Sequence, residues 1–365
     1  MTTSTTNQPF LILGVESSCD ETAFAVVEST GRVLSNTIAS QVELHARYGG
    51  VVPEIASRAH LEACVPLYQK ALAEAYVHME QITAIAATQG PGLSGCLLVG
   101  FEFAKGLALR HNKPLVPVHH IAGHADSVYL GKTENAWGHS LTQAQPPFQP
   151  YVALVISGGH SSLIAVHAPL KYEILGQTMD DAVGEAYDKI AKLMGLPYPG
   201  GPLLDRLAQL GDPNAFKLTL PLSRASDDRE ACMFSFSGLK TAVARYVEAE
   251  RKTTGEEVLD ANFINNLAAA FQQTAVESLA QKTKNALKKT GYKRLAITGG
   301  VACNSHVRTR MKQALRGIKI AIPAPEYCTD NAAMIAGLGA RCYQQQANQG
   351  LGLNVKASWS IEEFG

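Results

Sequence analysis

Two stretches of the chain repeat one pattern: an apolar strand, a short polar turn, a second strand and then a third. The strands predicted for the first stretch are residues 10–15, 22–27 and 32–39. Those predicted for the second stretch are residues 151–156, 161–166 and 171–175. Short apolar runs separated by polar turns favour antiparallel strands. The repeat therefore predicts an α/β chain with two halves of related topology.

In each half, further strands alternate with long helical patterns, as expected for mixed sheets covered by helices. A duplicated strand-turn-strand unit is typical of the two-domain actin-like (ASKHA) fold of actin-like ATPases, the Hsp70 ATPase domain and sugar kinases, in which two domains close over a nucleotide. The length of 365 residues suits two domains. We predict domains at 1–135 and 151–342, a proline-containing linker at 136–150 and a tail at 343–365.

A candidate metal site follows the short predicted strand 115–118. His120 and His124 are four residues apart, so a helix places both imidazoles on one face. A third ligand would be a carboxylate from far away in the sequence, and Asp330 is the candidate. The same spacing occurs in histidine pairs that bind no metal, and His119 makes the register ambiguous. Spacing alone leaves both interpretations open.

Two glycine turns, Ser157-Gly158-Gly159 and Gly299-Gly300, each follow an apolar strand. Glycines at such positions let backbone amides approach phosphate oxygens closely. Either turn alone is more typical of an ordinary tight turn. Together with a candidate metal site, the two turns favour nucleotide binding.

The charge is unevenly distributed. The net charge is zero, which argues against a dedicated nucleic-acid binder, yet residues 282–319 contain eleven Lys or Arg residues and no Asp or Glu. Such a segment, from Lys282 to Lys319, produces a positive field suited to a phosphate backbone. A solvated helix face is the alternative.

Cysteine usage and hydropathy limit the cellular setting. Seven cysteines without a Cys-x-x-Cys pair argue against a disulfide framework and against a zinc ribbon. The sequence contains no run of about 18 apolar residues, and its first residues match neither a signal nor a transit peptide. We therefore expect a cytoplasmic protein with no membrane association and with reduced cysteines.

Nine blocks of the sequence resemble, in order, the blocks of the bacterial tRNA N6-adenosine threonylcarbamoyltransferase family. They are residues 15–22, 48–54, 90–93, 105–124, 157–160, 184–189, 198–202, 234–240 and 299–304. The resemblance extends over residues 10 to 342. Two departures are Ala125, where the family usually has a larger aliphatic residue, and the segment 130–150, which is longer than the commonest form.

The resemblance implies a reaction. The threonylcarbamoyl group of L-threonylcarbamoyl-AMP would be transferred to N6 of adenosine 37 in tRNAs that read codons beginning with A, with release of AMP. One divalent metal ion per subunit would be bound by His120, His124 and Asp330, with Fe(II) favoured and Zn(II) as the alternative. The implied partners are tRNA, a shorter paralogous subunit that lacks the metal site and a small P-loop ATPase.

The resemblance also implies roles for individual residues. The residues expected to hold the substrate phosphate are Val155, Ile156, Ser157, Gly158 and Gly159. Those expected around the adenosine are Gly201, Asp205 and Asn304, with Asp188 as a further substrate ligand. The catalytic candidates are Asp20 and Glu21, which would assist deprotonation of the attacking amine.

Each of these assignments has a structural alternative. Adjacent acids in a turn, such as Asp20 and Glu21, are usually solvated. Asp188 could instead pair with Lys192 one helical turn away. His160, beside the first glycine turn, fits either substrate orientation or packing.

Two other functions fit parts of the sequence. A sugar kinase or ATPase module of the same fold would share the glycine turns but would not need the histidine pair. A zinc metalloprotease would have a glutamate after the first histidine as its general base, whereas His120 is followed by Ile121.

Overall fold

The computed structural model describes residues 8–143, 145–222, 230–345 and 350–364. Its strands are β1 (Leu11–Glu16), β2 (Glu21–Glu28), β3 (Val33–Ser40), β4 (Ile82–Gly90), β5 (Leu115–His119), β6 (Tyr151–Ile156), β7 (Ser161–Ala168), β8 (Lys171–Gln177), β9 (Arg294–Thr298) and β10 (Lys319–Ala321). They form two five-stranded sheets, ordered β3-β2-β1-β4-β5 and β10-β9-β6-β7-β8.

The two sheets have the same internal arrangement. In the first sheet, β1, β2 and β3 are antiparallel neighbours, whereas β4 and β5 continue from β1 as parallel strands. In the second sheet, β6, β7 and β8 are antiparallel, and β9 and β10 continue from β6 in parallel. The α/β class and the predicted duplication are therefore confirmed.

Helices cover the sheets. They are α1 (Val42–Ala46), α2 (Pro53–Ala75), α3 (Ser94–His111), α4 (His120–Asp126), α5 (Val183–Leu193), α6 (Gly200–Ala208), α7 (Ser237–Thr254), α8 (Ala261–Thr290), α9 (Ser305–Ala314) and α10 (Ala332–Gln344). Helix α2 begins at Pro53, where the missing N–H costs no hydrogen bond. Among the described residues, none of the helices combines the length and apolarity needed to cross a bilayer.

The chain forms two compact units. The first contains Met1–Gln41, Val52–Phe148 and Asp330–Gly365, and the second contains Val42–Val51 and Gln149–Thr329. Helix α10 belongs to the first unit because it packs directly on β1: a side chain on Gly14 would collide with Ala332 and Ala336. This packing places Asp330, just before α10, in the same unit as α4.

Parallel strands bring their carboxyl ends to one edge of a sheet, where sites of α/β proteins form. In the first unit, β1 is paired in parallel with β4, and Gly90 of β4 is aligned with His119 of β5. The segments that follow these strands are therefore neighbours. Glu16, predicted to lie in a polar turn, is instead the buried last residue of β1.

Candidate active site

His120, His124 and Asp330 converge in the first unit. Helix α4 starts directly after β5, and the imidazole centroids of its two histidines are 4.8 Å apart. Oδ1 of Asp330 lies 3.0 Å from Nε2 of His124 and 3.7 Å from Nε2 of His120. The structure thus brings the three predicted metal ligands together.

This donor set fits a metal ion. Atoms bound to one ion at about 2.1 Å are separated from each other by about 3.0–3.4 Å, close to the two distances from Asp330. The ligand atoms of all three residues lie within 4.8 Å of one another. Both histidines are buried, whereas the Asp330 side chain is 22% exposed, which leaves one side of the cluster open to an incoming ligand.

Glu16 orients His120. Its Oε2 lies 3.1 Å from Nδ1 of His120 and accepts a hydrogen bond of 2.6 Å from Thr88, and its Oε1 accepts one from the Ser18 amide. A carboxylate that holds one imidazole nitrogen directs the other nitrogen to a metal. Sequence reasoning missed Glu16, although its place at the end of a central apolar strand was an available signal.

His119 has a different function from its neighbour His120. Its Nδ1 accepts hydrogen bonds from the amides of Ile121 and Ala122 at the start of α4. Its Nε2 therefore carries the proton and donates to the Trp359 carbonyl oxygen, at 3.1 Å. The rings of Trp359 and Phe364 pack against it. His119 thus fixes the first turn of the helix that carries the two predicted ligands.

Neighbouring charges shift the pKa values of two residues at the cluster, His120 and Glu21. Burial opposes the charged form of His120, but Glu16 and Asp330 outweigh burial and raise the pKa of His120 to about 9. Burial, followed by the negative charges of Asp330 and Asp20, raises the pKa of Glu21 well above its ordinary value. A bound cation would offset this repulsion among the three carboxyl groups.

Asp20 and Glu21 lie at the start of β2, in the same unit as the metal-ligand cluster. Asp20 is buried, so it is not an ordinary solvated turn residue. Oε1 of Glu21 accepts a hydrogen bond of 3.3 Å from the Ser40 hydroxyl. Glu21 is close enough to Asp330 and to Asp20 for both negative charges to raise its pKa.

The two glycine turns are neighbours in the second unit. They follow β6 and β9, which are parallel and aligned at Val155 and Thr298. Gly299 has a φ of +89° and packs so closely on Ile156 that a side chain would collide with its carbonyl. A Cβ on Gly158 or Gly159 would meet nothing within 4 Å, so this backbone is open to a ligand.

Asp205 and Asn304 are linked through Gln272. The Gln272 amide nitrogen donates to Oδ1 of Asp205 at 3.1 Å, and the Asn304 amide nitrogen donates to the Gln272 oxygen at 2.8 Å. Asn304 also caps α9, since its Oδ1 accepts from the Val307 amide at 2.9 Å. Sequence reasoning missed Gln272. The available signal was a polar amide directly after an apolar run in α8, where the structure shows it buried.

Asp188 and Gly201 also lie together. Oδ1 of Asp188 accepts hydrogen bonds from the amides of Gly200 at 2.8 Å and Gly201 at 3.2 Å. Asp188, on α5, therefore holds the start of α6, the helix that carries Asp205. His160 closes the first glycine turn, because its amide donates to the Ser157 hydroxyl.

The basic segment 282–319 divides into internal and exposed side chains. Lys282 is only 1% exposed, and its Nζ donates to the carbonyl oxygens of Leu222 and Glu230. Arg294, Arg308 and Arg310 donate to Gln149, Ala302 and Glu277, respectively. The exposed members are Lys284, Lys288, Lys289, Lys293, Lys312, Arg316 and Lys319. The prediction that Lys282 contributes to a basic surface is therefore wrong.

Solved structures with the same architecture define the fold class. HypF from T. kodakarensis matches with a TM-score of 0.57 at 14% identity, over 94% of this chain and 50% of that chain. Component A of (R)-2-hydroxyglutaryl-CoA dehydratase from Acidaminococcus fermentans matches with a TM-score of 0.50 at 16% identity, over 93% and 99% of the two chains. With the duplicated sheets, these likenesses identify an actin-like two-domain fold.

Sequence comparison gives the family. The family model described as tRNA N6-adenosine threonylcarbamoyltransferase matches residues 32–337. Relatives of that name include one from Geobacter sp. (strain M21), 48% identical over 97% of both chains, and one from Staphylococcus aureus (strain bovine RF122 / ET3-1), 45% identical over 97% of this chain and 98% of the relative. The chain belongs to the tRNA N6-adenosine threonylcarbamoyltransferase family. The family match decides against the kinase and metalloprotease alternatives.

Proposed function

We propose that this chain transfers the threonylcarbamoyl group from L-threonylcarbamoyl-AMP to N6 of adenosine 37 in tRNAs that read codons beginning with A, and releases AMP. The family match over residues 32–337 carries the proposal. The cluster of His120, His124 and Asp330 supports it, because it could hold a metal ion in a buried, partly open position.

The proposed donor is a mixed anhydride, so its carbonyl carbon is electrophilic and AMP is a good leaving group. In the reaction, the N6 nitrogen forms a bond to that carbon, the bond to the phosphate oxygen breaks and the amine loses a proton. The enzyme must therefore position the donor, stabilise the departing phosphate and accept the proton.

His120, His124 and Asp330 are proposed to hold Fe(II), with Zn(II) as the alternative, because two imidazoles and one carboxylate leave open coordination positions. When bound, the ion would supply Lewis-acid stabilisation of negative charge on the donor. Glu16 would keep the His120 ring in its ligating orientation, since it already holds Nδ1 at 3.1 Å.

Glu21 and Asp20 are the proposed proton acceptors. A carboxylate whose pKa is raised binds a proton more strongly than an ordinary one, and burial with two neighbouring acids raises the pKa of Glu21. This property favours Glu21 as the proton acceptor, with Asp20 as a neighbour whose charge helps to raise the pKa of Glu21.

In the second unit, the proposed phosphate ligands are Val155, Ile156, Ser157, Gly158 and Gly159, and the proposed adenosine ligands are Gly201, Asp205 and Asn304. The open backbone at Gly158 and Gly159 supports the first group. The hydrogen-bond chain from Asp205 through Gln272 to Asn304 supports the second, because it fixes both side chains. Asp188 would act by holding Gly201 in place.

The tRNA is proposed to bind along the exposed lysines near the end of α8, Lys284, Lys288 and Lys289. These charges would supply the binding energy needed to take adenosine 37 out of its stack, about a few kcal/mol. The enzyme is proposed to act in the cytoplasm, where it would meet its tRNA substrate.

A shorter paralogous subunit and a small P-loop ATPase are the proposed protein partners. The exposed apolar face of α2 supports a docking site for the paralogous subunit: Leu61 is 65% exposed and Val65, one turn on, is 50% exposed. Leu61→Glu with Val65→Glu should abolish its association, whereas Leu109→Glu on α3 should not.

The function is tested by mass spectrometry of tRNA nucleosides after incubation with threonine, bicarbonate, ATP and the partner proteins. Threonylcarbamoyladenosine should form only when this chain is present. Its absence from a system that is active with a family member from another bacterium would contradict the proposal.

A further inference from the structure

His60 is a buried histidine of the first unit that lies outside the metal-ligand cluster. It sits on the inner face of α2, where the other buried residues are Ala56, Cys64 and Ala71. The His60 side chain is fully buried. A buried polar group costs free energy unless it is hydrogen-bonded, so an imidazole among small apolar residues needs specific partners.

The partners of His60 flank the two acids at the start of β2. Its Nε2 lies 3.0 Å from the carbonyl oxygen of Cys19, and its Nδ1 lies 2.7 Å from the hydroxyl oxygen of Thr22. A carbonyl oxygen can only accept, so Nε2 carries the proton and donates. In the neutral ring, Nδ1 then accepts from the Thr22 hydroxyl. One imidazole therefore holds the chain directly before Asp20 and directly after Glu21.

A second contact ties the same turn to α2. The Gln41 backbone amide donates to the carbonyl oxygen of Asp20 at 3.1 Å, and the Gln41 side-chain nitrogen donates to the carbonyl oxygen of Ala56 at 3.3 Å. Two consecutive carbonyls of the turn are thus held on α2, that of Cys19 directly by His60 and that of Asp20 through Gln41.

We propose that His60 is a positioning residue for proton transfer, which sets the place of the Asp20 and Glu21 carboxylates by holding the chain on either side of them. This inference deepens the proposed function and rests on it, since that function makes these acids the proton acceptors. A proton acceptor must lie within hydrogen-bond reach of the amine, and a displacement of about 1 Å can lower a rate by about 100-fold. His60 acts through the turn and does not itself accept the proton.

The two hydrogen bonds of His60 can be removed separately. The side-chain nitrogen of glutamine reaches about as far from the backbone as Nε2 of histidine, and the side-chain oxygen of asparagine about as far as Nδ1. His60→Gln can therefore keep the bond to Cys19, His60→Asn can keep only the bond to Thr22, and His60→Leu keeps neither. The Cys19 carbonyl belongs to the peptide group that joins Cys19 to Asp20, so the bond to Cys19 should matter more for the acids.

The test is single-turnover transfer from preformed L-threonylcarbamoyl-AMP to tRNA by the full-length variants, with the partner proteins present. We expect His60→Leu to lower the rate by about 10–100-fold while donor-binding isotherms change little. His60→Asn should behave like His60→Leu, and His60→Gln should recover most of the parental rate. A parental rate in His60→Leu, or a rate in His60→Gln no higher than in His60→Asn, would overturn the proposal.

Cys64→Ala is the matched control, because Cys64 is the next buried residue on the same face of α2, one turn from His60. This variant loses buried packing but keeps His60 and its hydrogen bonds. It should unfold at a lower denaturant concentration and transfer at the parental rate. Equal loss of transfer in Cys64→Ala and His60→Leu would overturn the specific role of His60. If His60→Leu does not fold, Thr22→Val removes one of the two bonds without changing α2, and it too should lower the transfer rate.

Hydrogen exchange tests the same contact without any assay of activity. Amides in a loosened turn exchange faster because the turn opens more often. Mass spectrometry of peptic peptides that cover residues 17–22 should show about tenfold faster exchange in His60→Leu and parental exchange in Cys64→Ala. Unchanged exchange in His60→Leu would overturn the positioning role. Absence of threonylcarbamoyladenosine with the parent protein would instead contradict the proposed function, while the exchange result still decides whether His60 holds the turn.

Discussion

The carboxylate of Glu16 lies 3.1 Å from Nδ1 of His120, while Nε2 of the same ring lies 3.7 Å from Oδ1 of Asp330. The ring therefore lies between an acid at the end of a central strand and an acid just before α10. This relationship makes Glu16 part of the metal centre without being one of its ligands.

Glu16→Gln should weaken metal binding by about 10–100-fold, because the amide neither holds the imidazole as strongly nor raises its basicity. Metal titration with a competing chelator measures the change. Glu62→Gln, at an exposed position of α2, is the matched control and should bind as the parent does. Unchanged affinity of Glu16→Gln would show that His120 is oriented by other contacts.

Metal affinity should fall as the pH falls. The pKa of His120 is raised to about 9, so without metal its ring is protonated at neutral pH, and a bound ion must displace that proton. Affinity should rise about tenfold per pH unit between roughly 7 and 9 and level off above that range. Calorimetry in buffers of different ionisation enthalpy should count one proton released per ion at pH 7. Binding at pH 7 without proton release would contradict the coupling.

Charge reversal of Lys284, Lys288 and Lys289 should weaken tRNA binding and flatten its salt dependence, by about 0.9 in the logarithmic slope for each lost phosphate contact. Donor binding should not change. Filter binding at several salt concentrations measures both slope and affinity. A parental slope in the triple variant would mean that tRNA binds elsewhere.

Lys282 provides the contrast within the same helix. Lys282→Met should leave the salt slope of tRNA binding unchanged but lower the free energy of unfolding by about 1–3 kcal/mol, because the carbonyls of Leu222 and Glu230 lose their donor. Denaturant unfolding measures the second effect. A reduced salt slope in this variant would show that the lysine reaches the tRNA after all.

Asp20→Asn and Glu21→Gln should separate proton transfer from binding. Each keeps the size of the side chain but removes a base, so the transfer rate should fall by about 10²–10⁴-fold with donor affinity little changed. His120→Ala should instead lose metal and donor affinity together. If both acid variants transfer at the parental rate, another group must accept the proton.

Local patterns determined much of this fold. The strand predicted at 151–156 is β6, and the strand predicted at 10–15 is β1, which lies one residue further along the chain. Such strands are recognisable because they are short, almost entirely apolar runs, as expected of strands that are buried on both faces. The convergence of His120 and His124 also followed from helical spacing, and Asp330 could be proposed as their partner from ligand chemistry.

The remaining features depend on tertiary neighbours that no local pattern reveals. Glu16 is a polar residue at the end of an apolar strand. It can orient His120 only because β5 ends beside it and His120 follows β5 directly. Lys282 has the same sequence environment as the exposed Lys284, but helix rotation turns it inward. The contact of Trp359 with His119 likewise depends on packing between distant segments.

The most direct test of the account is single-turnover transfer from preformed L-threonylcarbamoyl-AMP to tRNA, with the partner proteins present. The account predicts one AMP released for each threonylcarbamoyladenosine formed at position 37, none with a tRNA that has guanosine at that position, and strong loss of transfer in His120→Ala. AMP release without tRNA modification, or transfer at the parental rate in His120→Ala, would contradict it.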